Sequence, residues 1–352
     1  MKKTNLIKLT LILAAFSLLF AACAPAAGDS GDQTPAAPVE NQNPAAPSGP
    51  AAPVTPEEPA TVEIADIYGT VTVPVNPQRV VALDNRTFET LSDWGIKLAA
   101  APKAVMPSDS PYVADASVAD IGNHREPNLE LIAAADPELV IVGQRFASFY
   151  EDIKALVPNA VVINLNFDVS EEAATPGENL IGGLKNSTYA LGQIFDKAAE
   201  ADKLIADFDQ SIADAKDAYN GTDTVMAVVV SGGNIGFSAP RSGRVWGPMF
   251  EVFGWAPALD LSNATSDHQG DDVSVEAIAQ SNPDWLFVLE RDAATGGEAV
   301  PAQDVIDNAP ALQNVTAITE GNIVYAPADT YTNESIQTYL ELFEDLAAAL
   351  AK

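Results

Sequence analysis

Asn128-Leu-Glu-Leu-Ile-Ala-Ala-Ala-Asp-Pro-Glu-Leu-Val-Ile-Val142 aligns without a gap on Ser274-Val-Glu-Ala-Ile-Ala-Gln-Ser-Asn-Pro-Asp-Trp-Leu-Phe-Val288. Each copy reads as a short helix that stops before proline and gives way to a buried strand, because proline cannot continue the helix and constrains the residue before it. The copies lie on opposite sides of a proline-free stretch, residues 179–219, whose apolar residues recur at helical spacing. Working outward, short apolar runs separated by helical stretches occur at Arg79 to Leu83, Leu98 to Ala101, Leu139 to Val142 and Val161 to Leu165. A second series follows at Thr224 to Val230, Trp285 to Leu289 and Ile323 to Tyr325, ending in an alanine-rich helix from about Glu334. Such alternation favours parallel sheets covered by helices. The expected fold is therefore α/β, with two Rossmann-like lobes (61–178 and 220–352) joined by a single long backbone helix (179–219). A hairpin around Tyr68-Gly69 is expected to open the first lobe.

The chain ahead of residue 61 carries no core. Lys2, Lys3 and Lys8 precede an apolar run from Leu9 to Ala22, the pattern of a secretory signal too short for a comfortable membrane span. The sole cysteine, Cys23, follows Phe20-Ala21-Ala22, which resembles the lipobox of bacterial lipoproteins, with Phe20 departing from the usual aliphatic residue. Residues 1–22 are thus expected to be removed, Cys23 to carry lipid, and the Pro/Ala-rich segment 23–60 to act as a disordered tether holding the body beside a membrane. Nothing later reads as a bilayer span.

Composition excludes several functions. With 18 Lys+Arg against 49 Asp+Glu, a net charge of -31 makes nucleic acid a poor partner. One cysteine rules out an internal disulfide and a Cys-based zinc cluster, and two histidines rule out a polyhistidine cage. The lysines at Lys154, Lys185, Lys197, Lys203 and Lys216 fall on solvated helix faces.

The arginines are distributed differently. Arg86, Arg145 and Arg291 each follow a strand, and Arg241 and Arg244 lie in the glycine-rich loop after Val230. In open α/β sheets the carboxyl ends of the strands form the ligand crevice. Planar guanidinium forks gathered there in an acidic protein point to an oxygen-rich anion. Arg79 precedes its strand and reads as structural. His268, in a loop before the second repeat, and His124 beside Arg125 are weak candidates alone, as are Tyr331 and Tyr325 beyond the last strand. Ser231-Gly-Gly is too weak to count as a nucleophile turn, and no GxSxG, HExxH or P-loop occurs.

Four segments, Val142-Gly-Gln-Arg-Phe-Ala-Ser-Phe-Tyr150, Ser242-Gly-Arg-Val-Trp-Gly247, Ser266-Asp-His-Gln-Gly270 and Asn282-Pro-Asp-Trp-Leu-Phe-Val-Leu-Glu-Arg291, resemble the substrate-binding lipoproteins of bacterial ABC importers for ferric siderophores. The likeness is strongest to the catecholate and mixed catecholate-citrate branch. It covers nearly all of the chain after the tether. It implies two lobes of the class III periplasmic-binding-protein type, bridged by one helix and closing modestly around a ligand. By this resemblance Arg145, Arg244 and Arg291 would hold catecholate oxygens. Arg86 and Arg241, from their places after strand ends, and Trp246 are expected as further ligand contacts. His268 and Tyr331, or Tyr325 in its stead, would reach the iron of the bound siderophore. Glu130 and Glu276 would dock on basic residues of the permease subunits. The resemblance also implies a monomer anchored outside the cytoplasm, with a ferric siderophore as ligand, no intrinsic cofactor and no catalysis.

Three alternatives remain open at this point. Haem- and cobalamin-binding members share the fold, so the fold alone does not name the ligand. An extracytoplasmic hydrolase would turn its ligand over. A structural or adhesive lipoprotein would bind no small molecule saturably.

Overall fold

The computed structural model describes residues 60–170, 172–261, 265–296 and 300–352, so the signal peptide, Cys23 and the tether up to residue 59 lie outside the described residues. Ala60 already belongs to the folded part, its carbonyl accepting from Val75 N at 2.8 Å. Strands β1 (Thr61–Asp66) and β2 (Gly69–Pro74) form the opening hairpin, paired antiparallel with Ile67 and Tyr68 as its two-residue turn. The first lobe continues with β3 (Val80–Leu83), β4 (Leu98–Ala101), β5 (Ala119–Asp120), β6 (Leu139–Val142) and β7 (Val161–Asn164). These five form one parallel sheet in the order β5-β4-β3-β6-β7. β3 and β6 are buried at every residue, as central strands covered on both faces must be.

The second lobe is built from β8 (Thr224–Ser231), β9 (Asn234–Phe237), β10 (Ala256–Pro257), β11 (Trp285–Glu290) and β12 (Ile323–Tyr325). The parallel order is β10-β8-β11-β12, and β9 folds back antiparallel on β8. Gly232 and Gly233, at φ 57° and 75°, make that reversal, since both central positions of so tight a turn need positive φ. This hairpin accounts for Ser231-Gly-Gly.

The aligned repeats correspond element by element. Each forms a helix, Leu129–Ala134 or Val275–Ser281, followed by its strand, β6 or β11. Asp136 and Asn282, at equivalent positions ahead of proline, both take positive φ, 43° and 46°. The acid after proline does the same work in both lobes. Glu138 Oε2 accepts from Gln78 N at 2.6 Å and Asp284 Oδ2 from Thr224 N at 2.7 Å, each tying the repeat to the start of the neighbouring central strand. Arg79 pairs with Glu138 at 3.1 Å, a structural part.

The expected helix over 179–219 is two helices, Pro176–Ile194 and Ala198–Ala218. The chain turns at Asp196, whose φ of 53° ends the first helix. Gly192 lets the second pack against the first, since a Cβ there would lie 2.6 Å from that of Ala201. No proline or glycine marks the break itself, so periodicity runs across it. The bridge between lobes is the first helix alone. Leu180 and Leu184 enter the core of the second lobe, while Ala190, Leu191 and Ile194 enter that of the first. The second helix packs on the C-terminal helix Ile336–Leu350. Among the described residues no helix is long and apolar enough to cross a membrane.

Because Leu184 and Leu191 are each 1 % exposed, Leu184→Ala and Leu191→Ala should each cost about 2–5 kcal/mol. Urea denaturation should show similar losses for both, one from each lobe's core.

Candidate functional site

In both sheets the strand order reverses at one point, between β3 and β6 in the first lobe and between β8 and β11 in the second. Neighbouring connections there leave to opposite sides and open a crevice. The arginines that follow these strands stand at these two points. Arg86 follows β3, and Arg145 lies in a 3-10 turn, Gln144–Phe149, directly after β6. Arg291 opens the short helix after β11, and Arg244 precedes the helix Gly247–Phe253. The loops meet in an interlobe cleft of two hollows that share His268. One, about 350 Å³, is lined by Arg86, Phe167, Arg244 and Glu334; the other, about 330 Å³, by His124, Arg145, Arg291 and Tyr331.

Each guanidinium is oriented by a specific neighbour. Arg86 lies 3.8 Å over the Phe167 ring and donates to Asn166 Oδ1 at 3.2 Å. Arg244 donates to the Tyr331 carbonyl at 3.0 Å, stacks 4.4 Å over the Tyr331 ring and pairs with Glu334 at 2.7 Å. Arg291 Nε donates to the Tyr331 hydroxyl at 3.3 Å, and its Nη1 donates to Ser231 Oγ at 3.3 Å and lies 3.5 Å from Asp292. Tyr331 is thus held between two cations. Arg145 differs: its buried Nε and Nη2 have no hydrogen-bond partner, and neither has Arg244 Nε. Such groups are costly to leave unmade, and an oxygen-rich ligand in the cleft would satisfy them.

Two carboxylates that no sequence motif singled out lie beneath the arginines. Glu334 and Arg244 have side chains only 9 % and 10 % exposed. Burial pushes the Glu334 carboxyl up, but Arg244, Arg86, Arg145 and His268 outweigh it and hold the group below the usual carboxylate range. Asp84, at the end of β3, goes the other way: burial raises it, with Arg86 only partly opposing. Its approach depends on Gly143, where a Cβ would lie 2.1 Å from Asp84 Cγ. Burial also lowers the Arg145 guanidinium, with Glu334 opposing and Arg244 reinforcing the shift.

Both histidines line the second hollow. His268 is lowered by burial and by Arg244 and Arg145; His124 by burial, Arg145, Arg125 and His268. Each therefore favours the neutral imidazole, the form that can coordinate a metal. Among the described residues, no three His, Cys, Asp or Glu side chains converge to hold a metal by themselves.

Other residues fall outside the cleft. Trp246 is fully buried in the second core, 5.4 Å from the Phe287 ring, so the expectation of a ligand contact is corrected. It occupies the turn entering a helix that packs inward. Arg241 lines neither hollow; its Nη2 donates to the Ala173 carbonyl at 3.0 Å, clasping the segment ahead of the bridging helix. Tyr325 packs in the second lobe, where burial pushes its hydroxyl up to about 12. Tyr331, not Tyr325, lines the cleft. Glu130 and Glu276 are exposed at equivalent positions in the first turns of the repeat helices. A larger groove, about 890 Å³, runs past Glu276 with Asp271, Asp272 and Asp304 but no basic side chain, which unsuits it to an anion.

The family described as "Periplasmic binding protein" matches residues 80–330. The petrobactin-binding protein YclQ of Bacillus subtilis is 30% identical over 285 residues, 80% of this chain and 84% of that protein. The ferric-anguibactin-binding protein FatB of Vibrio anguillarum is 29% identical over 281 residues, 79% of this chain and 84% of that protein. The crystal structure of YclQ superimposes with a TM-score of 0.69 at 27% identity, covering 83% of this chain and 99% of that one.

The two buried carboxylates shape acid stability in opposite senses. A carboxyl whose folded pKa is depressed stabilises above its unfolded value, and that stabilisation is lost as pH falls through the folded pKa. One whose folded pKa is raised stabilises below its unfolded value and loses this as pH rises through the folded pKa. Urea midpoints followed from about pH 7 to about pH 3 should therefore show a shallower acid loss in Glu334→Gln than in wild type. Asp84→Asn should instead gain stability relative to wild type on moving from acid to neutral pH.

Proposed function

The chain belongs to the periplasmic binding protein family, and we propose that it captures an anionic ferric siderophore of the catecholate or mixed catecholate-citrate type and delivers it to an ABC importer. The observation that carries this reading is the convergence of guanidinium groups from both lobes on one cleft, with buried N–H groups of Arg145 and Arg244 still unpartnered. Relatives named for petrobactin and ferric anguibactin support it.

In this reading Arg145, Arg244 and Arg291 donate to the ligand's oxygens, through charge-assisted hydrogen bonds worth roughly 1.5–3 kcal/mol each. Arg86, buried against Phe167, adds positive potential from the cleft floor. Iron arrives as part of the ligand. Where the chelator leaves positions on the metal open, the neutral His268 imidazole and the Tyr331 phenolate complete its coordination. Iron(III), a hard cation, favours an oxygen donor, and Arg291 Nε fixes the Tyr331 hydroxyl by donating to it at 3.3 Å. Cys23 carries the lipid anchor, and Glu130 and Glu276 meet basic residues of the permease. One body with two docking helices suits a monomer. The arginines and the polar lining favour an oxygen-rich anion over haem or cobalamin, which call for an apolar slot or an aromatic cleft.

Fluorescence titration with ferric catecholates tests the reading, since a coloured ferric catecholate in the cleft quenches tryptophan at a distance and needs no contact with the buried Trp246. Saturable quenching is expected, with Arg145→Ala, Arg244→Ala and Arg291→Ala each weakening binding more than about tenfold. Lys203→Ala, whose partner Asp207 lies on the same exposed helix face, should leave affinity unchanged. A Soret shift at stoichiometric haem without any response to catecholates would overturn the proposal.

A further inference from the structure

The cleft contains an anion of its own. Glu334 pairs with Arg244 at 2.7 Å and is 9 % exposed, so its carboxylate sits at the cleft surface without much water around it. It lines the same hollow as Arg86, Arg244 and His268. Its backbone takes φ 50°, a left-handed conformation that a residue with a β-carbon adopts only when its surroundings enforce it. Those surroundings are visible. Ser335, the next residue, caps the C-terminal helix by accepting from Thr338 N at 3.1 Å, and its hydroxyl also donates to Glu89 of the other lobe. Asn333, the residue before, donates to the same Glu89 carboxylate at 2.7 Å. The backbone of Glu334 is thus fastened on both sides, and its carboxylate is held by Arg244.

Positive charge in the cleft is correspondingly less than the arginines alone suggest. Arg291 has Asp292 at 3.5 Å, and Arg244 is already matched by Glu334. A chelate with three negative charges would bring its outer oxygens against a fixed, poorly solvated carboxylate. One with a single net negative charge, whose iron keeps two positions open for His268 and Tyr331, would meet far less repulsion.

Resting on the siderophore reading, we infer that Glu334 is a specificity-determining residue: the buried carboxylate paired with Arg244 sets an upper limit on ligand charge, selecting ferric chelates of low negative charge over ferric tris-catecholates. Selection of this kind works by penalising the competitor and requires no additional contact to the favoured ligand.

The test uses two synthetic iron(III) chelates, a tripodal tris-catecholate carrying three negative charges and a tetradentate bis-catecholate carrying one, titrated by fluorescence into the complete folded chain. Wild type should bind the bis-catecholate more tightly. Glu334→Gln, which keeps the shape and an oxygen acceptor for Arg244, should shift the ratio of the two affinities toward the tris-catecholate by about tenfold or more. His268→Ala should weaken the bis-catecholate selectively. A merely structural Glu334 would instead lower both affinities in parallel, and an unchanged ratio overturns the inference. Tighter binding of the tris-catecholate by wild type also overturns it, even if the Gln variant does not fold. Wild type binding neither chelate sinks the siderophore reading itself, and this inference with it.

Discussion

A guanidinium from the second lobe and a carboxylate held at the lobe junction, Arg244 and Glu334, make the ion pair on which the cleft depends. Gathering several cations away from water is unfavourable unless something of opposite sign is nearby, and a pair left half-made would be worse than none. Glu334 serves Arg244 directly, and its field reaches Arg86 and Arg145. The unliganded cleft can therefore keep its arginines ordered while leaving selected N–H groups for an incoming anion. Tyr331, its ring stacked against Arg244 and its hydroxyl accepting from Arg291, does the corresponding work in the second hollow.

Much of this arrangement was legible in the residues. Buried parallel strands advertise themselves as unbroken apolar runs, which is why β4 and β6 begin and end where hydrophobicity does. Arginines just past strand ends could be read as cleft residues because the carboxyl edge of an α/β sheet is where ligands go. Short edge elements carried too little pattern: β5 and β10 are two residues each and owe their pairing to the sheet they join. The break at Asp196 was invisible because an aspartate there performs the left-handed turn usually left to glycine. Trp246 follows Arg244 by two residues, but the adjoining helix carries it into the core, which no local pattern announces.

Glu334 could not have been found among 49 acidic residues, since nothing local distinguishes it. Its importance comes from partners far away in sequence, and only the folded chain puts it beside Arg244. The overall charge of -31 likewise hides the cleft. At physiological salt a charge is screened within roughly 8 Å, so a ligand near the opening responds to the arginines lining it more than to distant surface carboxylates.

The helix Pro176–Ile194 is rooted in both hydrophobic cores, at Leu180 and Leu184 on one side and at Leu191 and Ile194 on the other. An unbroken helix so clamped has no flexible crossover at which to hinge, and opening the jaws widely would mean tearing apolar side chains from one core or snapping backbone hydrogen bonds. The two halves are in effect welded near their working distance. Recognition then falls to side-chain chemistry within a nearly fixed gape, and a permease gripping both ends would pry against a stiff strut.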